Sequence, residues 1–498
     1  MKKSFRLPSL GSQLLALGSQ LLALGSPLLA LSFLLPPAHA QKTKPELTAH
    51  IDATRKTYEE IALKIWGYAE IGYKETQSSA LLQSTLRSAG FTLQAGVADM
   101  PTAFVASYGS GSPVIGILAE FDALPGVSQT ADPEKKARPE VNAGHACGHH
   151  LFGAASTHAA ITLKNWLQAT GQKGTLRVYG SPAEEGGSGK VYLVRAGLFN
   201  DVDAVMHWHA GDRNAVRLSS SLANISAKFR FRGVAAHAAA SPERGRSSLD
   251  GVEAMNHMVN LLREHVPDTT RIHYVITKGG EAPNVVPAFA ESYYYVRSPS
   301  RQIVTEVWDR VTKAAQGAAL GTGTTVEWEI TGGVYELLGN EALARAMHAN
   351  LETVGGVTYT AEEKVFAAKI GKTLFGKAPA VETAALVMPF DPKSASSGGG
   401  STDVSDVSWT TPTVGLNAAT WVPGTPSHSW QAVAAGGTTI GLKGMIVAAK
   451  TLALTGVDLF TQPELLKKAK AEFEQRRGPG FTYEAMVGTR KPPLDYRD

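Results

Sequence analysis

The segment around residue 147 combines side chains that bind metal ions. His145, Cys147 and His149 are spaced by two, so in an extended segment they share one face. Thiolate and imidazole are both good ligands for zinc and for other divalent ions of intermediate softness. The spacing therefore predicts a metal site, with a histidine-rich loop as the alternative interpretation.

Two adjacent carboxylates are the second chemical feature. Glu184 and Glu185 are followed by Gly186 and Gly187, which places both acids on a flexible turn. Adjacent acids on a loop are usually a solvated surface pair, but their roles can also differ. One can bind a metal while the other takes a proton from activated water and passes it to a leaving amine.

Three further histidines are candidate ligands. His207 and His209 flank Trp208, and from strand alternation we expect only one of them to face the site. His428 lies in the turn-rich run GTPSHSW. A lone histidine is more often structural than functional, so each candidate depends on where the fold places it.

The elements that must position these residues alternate between β-branched apolar runs and amphipathic helices, which predicts an α/β fold. Three predicted strands deliver metal-capable residues at or just past their carboxyl ends, the edge where open parallel sheets build sites. The strands are predicted over 114–118, 176–180 and 204–206, and the helices over 47–67, 78–89 and 148–170, the last with Gly171 past its end.

From about residue 222 the pattern becomes β-α-β-β-α-β, the order of a ferredoxin-like unit. Its strands are predicted over 227–232, 271–277, 289–296 and 325–330, and its helices over 249–264 and 303–318. Patterns of the first type return after it, so the unit is an insertion. We predict a signal peptide (1–40), a catalytic domain in two parts (41–221 and 334–475), an inserted lid or dimerisation domain (222–333) and an irregular tail (476–498).

The first forty residues have the features of an export signal. A basic start, KKSFR, precedes a leucine-rich stretch, and AHA at residues 38–40 is an A-x-A cleavage site. We expect a periplasmic or secreted protein, with an uncleaved membrane anchor as the alternative. Since no other segment approaches spanning length, we expect no membrane association after cleavage.

Composition narrows the function classes. The net charge is +4 over 498 residues, and no basic run with interleaved aromatics occurs, which argues against nucleic-acid binding. Apolar residues make up 43%, enough for a substantial core. Cys147 is the only cysteine, so no internal disulfide can form, and in an oxidising compartment a metal would protect the thiol.

Eight runs, in order along residues 45–475, resemble the dinuclear metallopeptidases of the aminoacylase and glutamate-carboxypeptidase type. The runs are LAEFDALPG, NAGHACGHHLFG, SPAEEGGSGK, MHWHAG, AAHAAASPERG, GGEAPNVVP, GGGSTDVSDVSW and WVPGTPSHSW. Within this family the chain is similar to the amidohydrolase branch with a Cys-x-His pair. The resemblance implies a mixed-sheet, zinc-peptidase-like catalytic domain with an inserted ferredoxin-like lid or dimerisation domain.

The resemblance also implies a ligand set for two divalent metal ions, Zn or Mn. Cys147 matches the family's bridging ligand. His149, Glu185, His209 and His428 match its terminal ligands.

Other positions match family residues that act on the substrate. Glu184 matches the general base, and His237 matches a histidine that reaches the active site of a partner chain and donates a hydrogen bond to the oxyanion. Asp122 matches an acid that orients a ligand histidine. Glu120 stands where other branches of the family place a ligand histidine.

Asn284 and the loop of residues 398–401, with Gly400 and Ser401, match positions near the substrate's carboxylate. The family uses none of the remaining histidines near these motifs as ligands. These non-ligands are His145, His150 and His207.

The implied reaction is hydrolysis of the amide bond of N-aroyl or N-acyl amino acids, with p-aminobenzoyl-glutamate first. A metallo-dipeptidase or carboxypeptidase acting on short peptides is the alternative of the same class. Two further hypotheses are a cysteine hydrolase with Cys147 as nucleophile and a non-catalytic binding protein on the same scaffold. The resemblance further implies a homodimer or an assembly with a homologous subunit.

Overall fold

The computed structural model of the protein describes residues 43–216, 218–392 and 399–497. The predicted signal peptide therefore lies outside the described residues. The α-helices of this part are α1 (Lys44–Tyr68), α2 (Thr76–Ser88), α3 (His149–Thr170), α4 (Glu184–Gly187), α5 (Gly189–Arg195), α6 (Ser248–Leu262), α7 (Arg301–Thr322), α8 (Glu341–Val354), α9 (Ala361–Gly371), α10 (Val404–Ser408), α11 (Trp430–Gly436), α12 (Thr439–Thr461) and α13 (Pro463–Arg477).

The strands of the described residues cover every strand predicted from the sequence and add six more, two of them seven residues long. They are β1 (Thr92–Ala95), β2 (Phe104–Ser110), β3 (Val114–Glu120), β4 (Leu124–Pro125), β5 (Ala143–Gly144), β6 (Gly174–Ser181), β7 (Ala204–Gly211), β8 (Ala215–Val216), β9 (Ala223–Arg232), β10 (Arg271–Lys278), β11 (Phe289–Ser298), β12 (Thr325–Val334) and β13 (Thr413–Ala419).

A seven-stranded mixed sheet forms the centre of the catalytic part, in the order β1-β2-β6-β3-β7-β13-β8. The four inner strands β6, β3, β7 and β13 are parallel neighbours, whereas the outer pairings are antiparallel. Every residue of β3 (VIGILAE) is buried, as is typical of a parallel strand covered on both faces. The predicted α/β fold with a mixed sheet is confirmed.

The inserted segment forms its own four-stranded antiparallel sheet, in the order β10-β11-β9-β12. Helices α6 and α7 pack on this sheet and share a separate hydrophobic core with it. Phe229 of β9 is central to that core, with its ring 5.5 Å from the rings of both Tyr294 and Trp308. The element order and strand order are those of the predicted ferredoxin-like unit.

Helix α12 is long and apolar enough to cross a membrane by length and composition, contrary to the expectation that no second segment approaches spanning length. In the fold, 83% of the most apolar 18-residue stretch of α12 is buried inside the protein. It packs against α1, α3 and α8. Its apolar character is therefore explained by its place in the core of the catalytic part.

Candidate metal centre and active site

The candidate residues meet at the carboxyl edge of the parallel strands. Glu120 ends β3, Glu184 and Glu185 follow β6, and His209 lies near the end of β7. The cavity at this edge has a volume of about 690 Å³ and also borders β9, β11 and β12 of the inserted sheet. The sequence prediction of a site at this edge agrees with the structure.

One group of metal-capable atoms consists of Cys147, His149 and His209. Their ligand atoms all lie within 4.8 Å of one another. The Cys147 thiol is 3.2 Å from His209 Nε2. His149 is the first residue of α3, and its side chain is fully buried.

A second group consists of Cys147, Glu185 and His428, again with all ligand atoms within 4.8 Å. His428 Nε2 lies 3.3 Å from Glu185 Oε1. The thiol belongs to both groups, so it occupies the position that a ligand shared by two cations requires.

The donor chemistry of these groups fits divalent cations. Thiolate, imidazole and carboxylate are the ligands of zinc and manganese sites. Among the described residues, the buried atoms His149 Nε2, Glu120 Oε2 and Glu185 Oε1 make no hydrogen bond of good geometry. His149 Nε2 and Glu120 Oε2 face each other at 3.0 Å, and Glu185 Oε1 faces His428 Nε2 at 3.3 Å. Since buried polar atoms normally form hydrogen bonds, atoms that face one another without forming them are consistent with ligation of cations.

One carboxylate orients ligands of both groups. Asp122 Oδ1 lies 2.8 Å from Nδ1 of His149, and Asp122 Oδ2 accepts the backbone N–H of Glu185 at 2.9 Å. The first contact leaves His149 Nε2 free for a metal. The position of Asp122 is thus that of an orienting acid for His149, and it contacts Glu185 as well.

Several acidic groups are buried close together in the site, and their mutual repulsion shifts their pKa values. Burial raises the pKa of Glu184 well above its usual value, and the neighbouring Glu120 and Glu185 carboxylates add to the rise. Burial likewise raises the pKa of the Cys147 thiol, with Glu185 adding to it. Burial alone would lower the pKa of His149, but Asp122 and Glu120 raise it well above its usual value. Positive charge in the cavity would relieve this repulsion.

A buried lysine, Lys190, which was not predicted as a site residue from the sequence, forms ion pairs beside the metal-capable groups. Lys190 Nζ is 2.6 Å from Glu120 Oε1 and 2.8 Å from Asp403 Oδ1. Burial would lower the pKa of Lys190, but Asp403 and Glu120 raise it. Lys190 therefore holds Glu120, which is itself 3.0 Å from His149 Nε2. A charged residue at the start of the apolar helix α5 (GKVYLVR) was the available sequence signal.

One local expectation about the backbone was wrong. Residues 145–149 are not extended, because Gly148 has φ of 75° and directly precedes α3. A Cβ at Gly148 would lie 2.4 Å from the Cβ of Ala210, so only glycine fits. Glu184 and Glu185 do lie on a short turn, between Ala183 and Ser188 in the left-handed region, and Glu185 and Gly186 depart from helical dihedral angles.

The expectation that only one of His207 and His209 faces the site was also wrong. Residues two apart in a strand share a face, and both rings border the cavity. The two neighbouring histidines of the 145–150 run contact backbone instead. His145 Nε2 lies 3.1 Å from the carbonyl oxygen of Ile65, and His150 Nε2 lies 3.0 Å from that of Gly436.

The residues that the resemblance assigns to the oxyanion (His237) or to the substrate's carboxylate (Asn284, Gly400 and Ser401) fall into two sets. Gly400 and Ser401 border the cavity, whereas position 398 of the same loop lies outside the described residues. His237 and Asn284 are exposed on the inserted domain and are not among the residues bordering the cavity. They lie side by side, since the backbone N–H of Ala238 donates to the carbonyl oxygen of Asn284.

The fold and the site together define a metal-dependent hydrolase of amide bonds with a two-domain architecture. Residues 223–322 match the model of a peptidase dimerisation domain, M20_dimer. The chain is 43% identical over 450 residues to the B subunit of p-aminobenzoyl-glutamate hydrolase from Escherichia coli (strain K12), covering 85% of this chain and 93% of that protein. The chain belongs to the M20 family of peptidases and amidohydrolases.

Other relatives have different activities in their names or match a smaller part of the chain. The chain is 27% identical over 453 residues to the Xaa-Arg dipeptidase of Mus musculus, covering 88% of this chain and 93% of that one. Over 244 residues it is 33% identical to the A subunit of p-aminobenzoyl-glutamate hydrolase from Escherichia coli (strain K12), covering 46% of this chain and 55% of that one.

Solved structures share the fold. An aminobenzoyl-glutamate utilization protein from Klebsiella pneumoniae matches with a TM-score of 0.59 and 18% identity, over 84% of this chain and 98% of that one. A dinuclear metal binding peptidase of the M20 family from Bacillus subtilis matches with a TM-score of 0.56 and 18% identity, over 82% and 98%. The resemblance inferred from the sequence motifs is confirmed, and the hypothesis of a non-catalytic binding protein is set aside.

Proposed function

We propose that the protein hydrolyses the amide bond of N-aroyl or N-acyl amino acids, with p-aminobenzoyl-glutamate as the first candidate substrate. The observation that carries the proposal is the pair of metal-capable groups that share the Cys147 thiol. The substrate class is supported by the 43% identity to one of the subunits of a p-aminobenzoyl-glutamate hydrolase.

In this proposal two divalent ions, Zn or Mn, would be held by the two groups that share Cys147. His149 and His209 would be the further ligands of one ion, and Glu185 and His428 those of the other. When bound, the ions supply Lewis-acid polarisation of the scissile carbonyl and activation of water. Asp122 keeps His149 and Glu185 in their orientations, so the ligand set is preorganised before binding.

Glu184 is the proposed general base. It is largely buried, and its carboxylate lies 4.0 Å from His149 Nε2, beside the ligand groups but outside the two that share Cys147. Its carboxylate takes a proton from the attacking water and then gives it to the nitrogen of the departing amine. Ionised Glu184 is needed for the first step and protonated Glu184 for the second.

His237 and Asn284 of one chain would act in the active site of a partner chain, where the inserted domain brings them. Both are exposed in a single chain, as residues that contact another molecule must be. His237 would donate a hydrogen bond to the oxyanion of the tetrahedral intermediate. Asn284, Gly400 and Ser401 would contact the carboxylate of the substrate.

We also propose that the protein is exported and that it forms a homodimer, or an assembly with a homologous subunit. The export proposal depends on the basic and leucine-rich segment at 1–40 with its AHA site. The assembly proposal is supported by the match to a dimerisation domain and by the likeness to both the A and the B subunits of one hydrolase.

Two competing functions have specific support. The dipeptidase relative favours cleavage of short peptides. The 3.2 Å contact between the Cys147 thiol and His209 Nε2 also has the geometry of a nucleophile and its base.

A substrate panel tests all three functions. Metal-reconstituted protein is assayed with p-aminobenzoyl-glutamate, N-acetyl amino acids and dipeptides that include Xaa-Arg. We expect the highest kcat/KM for p-aminobenzoyl-glutamate, loss of activity with a chelator, and recovery with Zn or Mn. A preference for dipeptides would favour the peptidase. Activity that survives complete metal removal would favour the thiol nucleophile and contradict the proposal.

A further inference from the structure

The C-terminal segment, residues 481–497, connects the inserted domain to the candidate active site. Tyr483 donates its hydroxyl to Asp406 Oδ1 at 2.7 Å. Further along, Arg490 pairs with Glu329 of β12 at 2.7 Å. The segment then continues to the turn that carries Glu184 and Glu185. It has no helix or strand over residues 481–497, as the sequence suggested, but it is packed against the fold.

The last two described residues of this segment both bind the carbonyl oxygen of Glu185. Tyr496 donates its hydroxyl at 3.0 Å, and Arg497 donates through Nη2. The Tyr496 ring packs edge-on against Tyr73, with ring centres 5.7 Å apart. A Cβ at Gly72 would lie 2.3 Å from the Tyr496 hydroxyl, so a side chain at this position would displace Tyr496 from where it docks. The docking is thus specific.

This docking delivers a guanidinium group to the substrate cavity. Arg497 borders the cavity together with Glu184, Glu185 and His428. Its Nε is buried and has no hydrogen-bond partner among the described residues. A guanidinium has five N–H donors, and the hydrogen bond from Arg497 Nη2 to the carbonyl of Glu185 engages one of them. Unused donors of a cation inside a substrate cavity favour an anionic group of the ligand.

We propose that Arg497 binds a carboxylate of the substrate's amino-acid portion and so selects acidic or free-carboxylate substrates; this rests on the proposed amidohydrolase function. The hydrogen bond to the carbonyl of a proposed metal ligand fixes the guanidinium beside the reacting centre. A carboxylate near the scissile amide is the group that a planar guanidinium binds best, through two parallel hydrogen bonds. The C-terminal segment is therefore part of the substrate site.

The test measures equilibrium binding to full-length, metal-loaded protein that carries Glu184→Gln, so that the ligand is not consumed. The probes are p-aminobenzoyl-glutamate and its diamide, in which both carboxylates are amides. We expect Arg497→Gln to weaken binding of p-aminobenzoyl-glutamate by about 10- to 100-fold, as for loss of a charged hydrogen-bond partner. Binding of the diamide should be unchanged. Arg497→Lys keeps the charge and should have a smaller effect.

Two variants serve as matched controls. Tyr496→Phe removes the other hydrogen bond to the Glu185 carbonyl but keeps the ring that packs on Tyr73, and Arg345→Gln neutralises an exposed arginine that does not border the cavity. Each should leave the ratio of the two affinities as it is in the parent protein. Metal content, measured by elemental analysis, should be the same in all variants.

The proposal is overturned if Arg497→Gln weakens both probes equally, weakens neither, or lowers metal content, because Arg497 would then act on the fold or on Glu185 alone. It is also overturned if neither probe binds. A failure of the proposed hydrolysis is recognised separately, because it appears as absence of turnover by the unsubstituted protein in the substrate panel. Binding in the Glu184→Gln protein does not depend on that result.

Discussion

In the catalytic part, which is built on the seven-stranded sheet, most polar residues of the site are buried and His428 is exposed, whereas the inserted domain carries its candidate residues on exposed surface. Glu120, Asp122 and His149 are almost completely buried. His237 and Asn284 are exposed. The first region brings metal-capable groups together by its own folding. His237 and Asn284 of the second region do not border the cavity of their own chain.

This difference suggests a division of tasks. Buried charges that orient one another are costly to assemble but leave the site preorganised. Exposed residues on a separate sheet can instead be supplied when a second chain docks. We therefore expect substitutions in the first region to affect metal binding or proton transfer. Substitutions in the second should affect turnover while the metal content stays constant.

The largest effect should come from the base in the buried region. Glu184→Gln cannot accept a proton, so kcat should fall by about 10²- to 10⁴-fold, the range of general acid–base catalysis. Glu184 also forms a third metal-capable group, with Glu120 and His149, so the metal content distinguishes its two possible roles. For a base the metal content should not change, whereas for a ligand it should fall. The exposed Glu134 offers a matched control, Glu134→Gln, which should retain full activity. Retained activity in Glu184→Gln would remove the residue from the mechanism.

The next effect should come from the exposed region. His237→Ala removes the proposed donor to the oxyanion, so kcat should fall by about 10²- to 10³-fold. Elemental analysis should find the metal content of the unsubstituted protein. His257, also exposed and on α6 of the same domain, provides the control His257→Ala. If His237→Ala and His257→Ala are equally active, the inserted domain supplies no catalytic group through this residue.

A smaller effect should come from the acid that orients the ligands. Asp122→Asn disturbs the contacts to His149 Nδ1 and to the backbone of Glu185. Metal affinity should fall by about 10- to 100-fold, as for other partners of ligand side chains. Competition with a chelator measures it, with the exposed Asp132→Asn as control. An unchanged affinity would mean that the fold orients the ligands without Asp122.

The smallest effect concerns a carboxyl at the junction of the two regions. Asp406 accepts hydrogen bonds from the backbone of Tyr335, just after β12, and from Tyr483. Burial raises the pKa of Asp406 from 3.8 to about 8. Between these values the folded protein holds a proton that the unfolded chain has lost, so Asp406 makes stability fall as the pH rises from about 4 to about 8.

Replacement of this carboxyl by an amide should therefore weaken the pH dependence. The decrease in Tm between pH 5 and about pH 8 should be smaller by a few degrees in Asp406→Asn than in the unsubstituted protein. The exposed Asp309→Asn is the control. Parallel Tm curves for all three proteins would show that Asp406 does not change its protonation on unfolding in this range.

The sequence predicted the elements well because their patterns are strong. The continuous apolar run of β3 predicts a buried parallel strand, and the β-α-β-β-α-β order of the insertion predicts a ferredoxin-like unit. Polar residues just past parallel strands also predicted the edge at which the site is built. These inferences depend on local periodicity and on general rules of sheet topology.

Other features depend on contacts between distant segments and could not be predicted in the same way. The placement of Cys147 and His149 follows from the left-handed Gly148, which is set by the close approach of Ala210. The ion pairs of Lys190 join residues from three segments. Likewise, nothing periodic in the last twenty residues indicates that Arg497 reaches the cavity.

The most direct test of the division of tasks combines the two inactive variants in one dimer. Chains carrying Glu184→Gln and His237→Ala are co-expressed with different tags, and the mixed dimer is purified through both tags. One of its two sites then carries both defects, and the other pairs an intact Glu184 with an intact His237 from the partner chain. The proposal predicts about half of the activity of the unsubstituted dimer, far above either variant alone. A mixed dimer as inactive as its parents would contradict it.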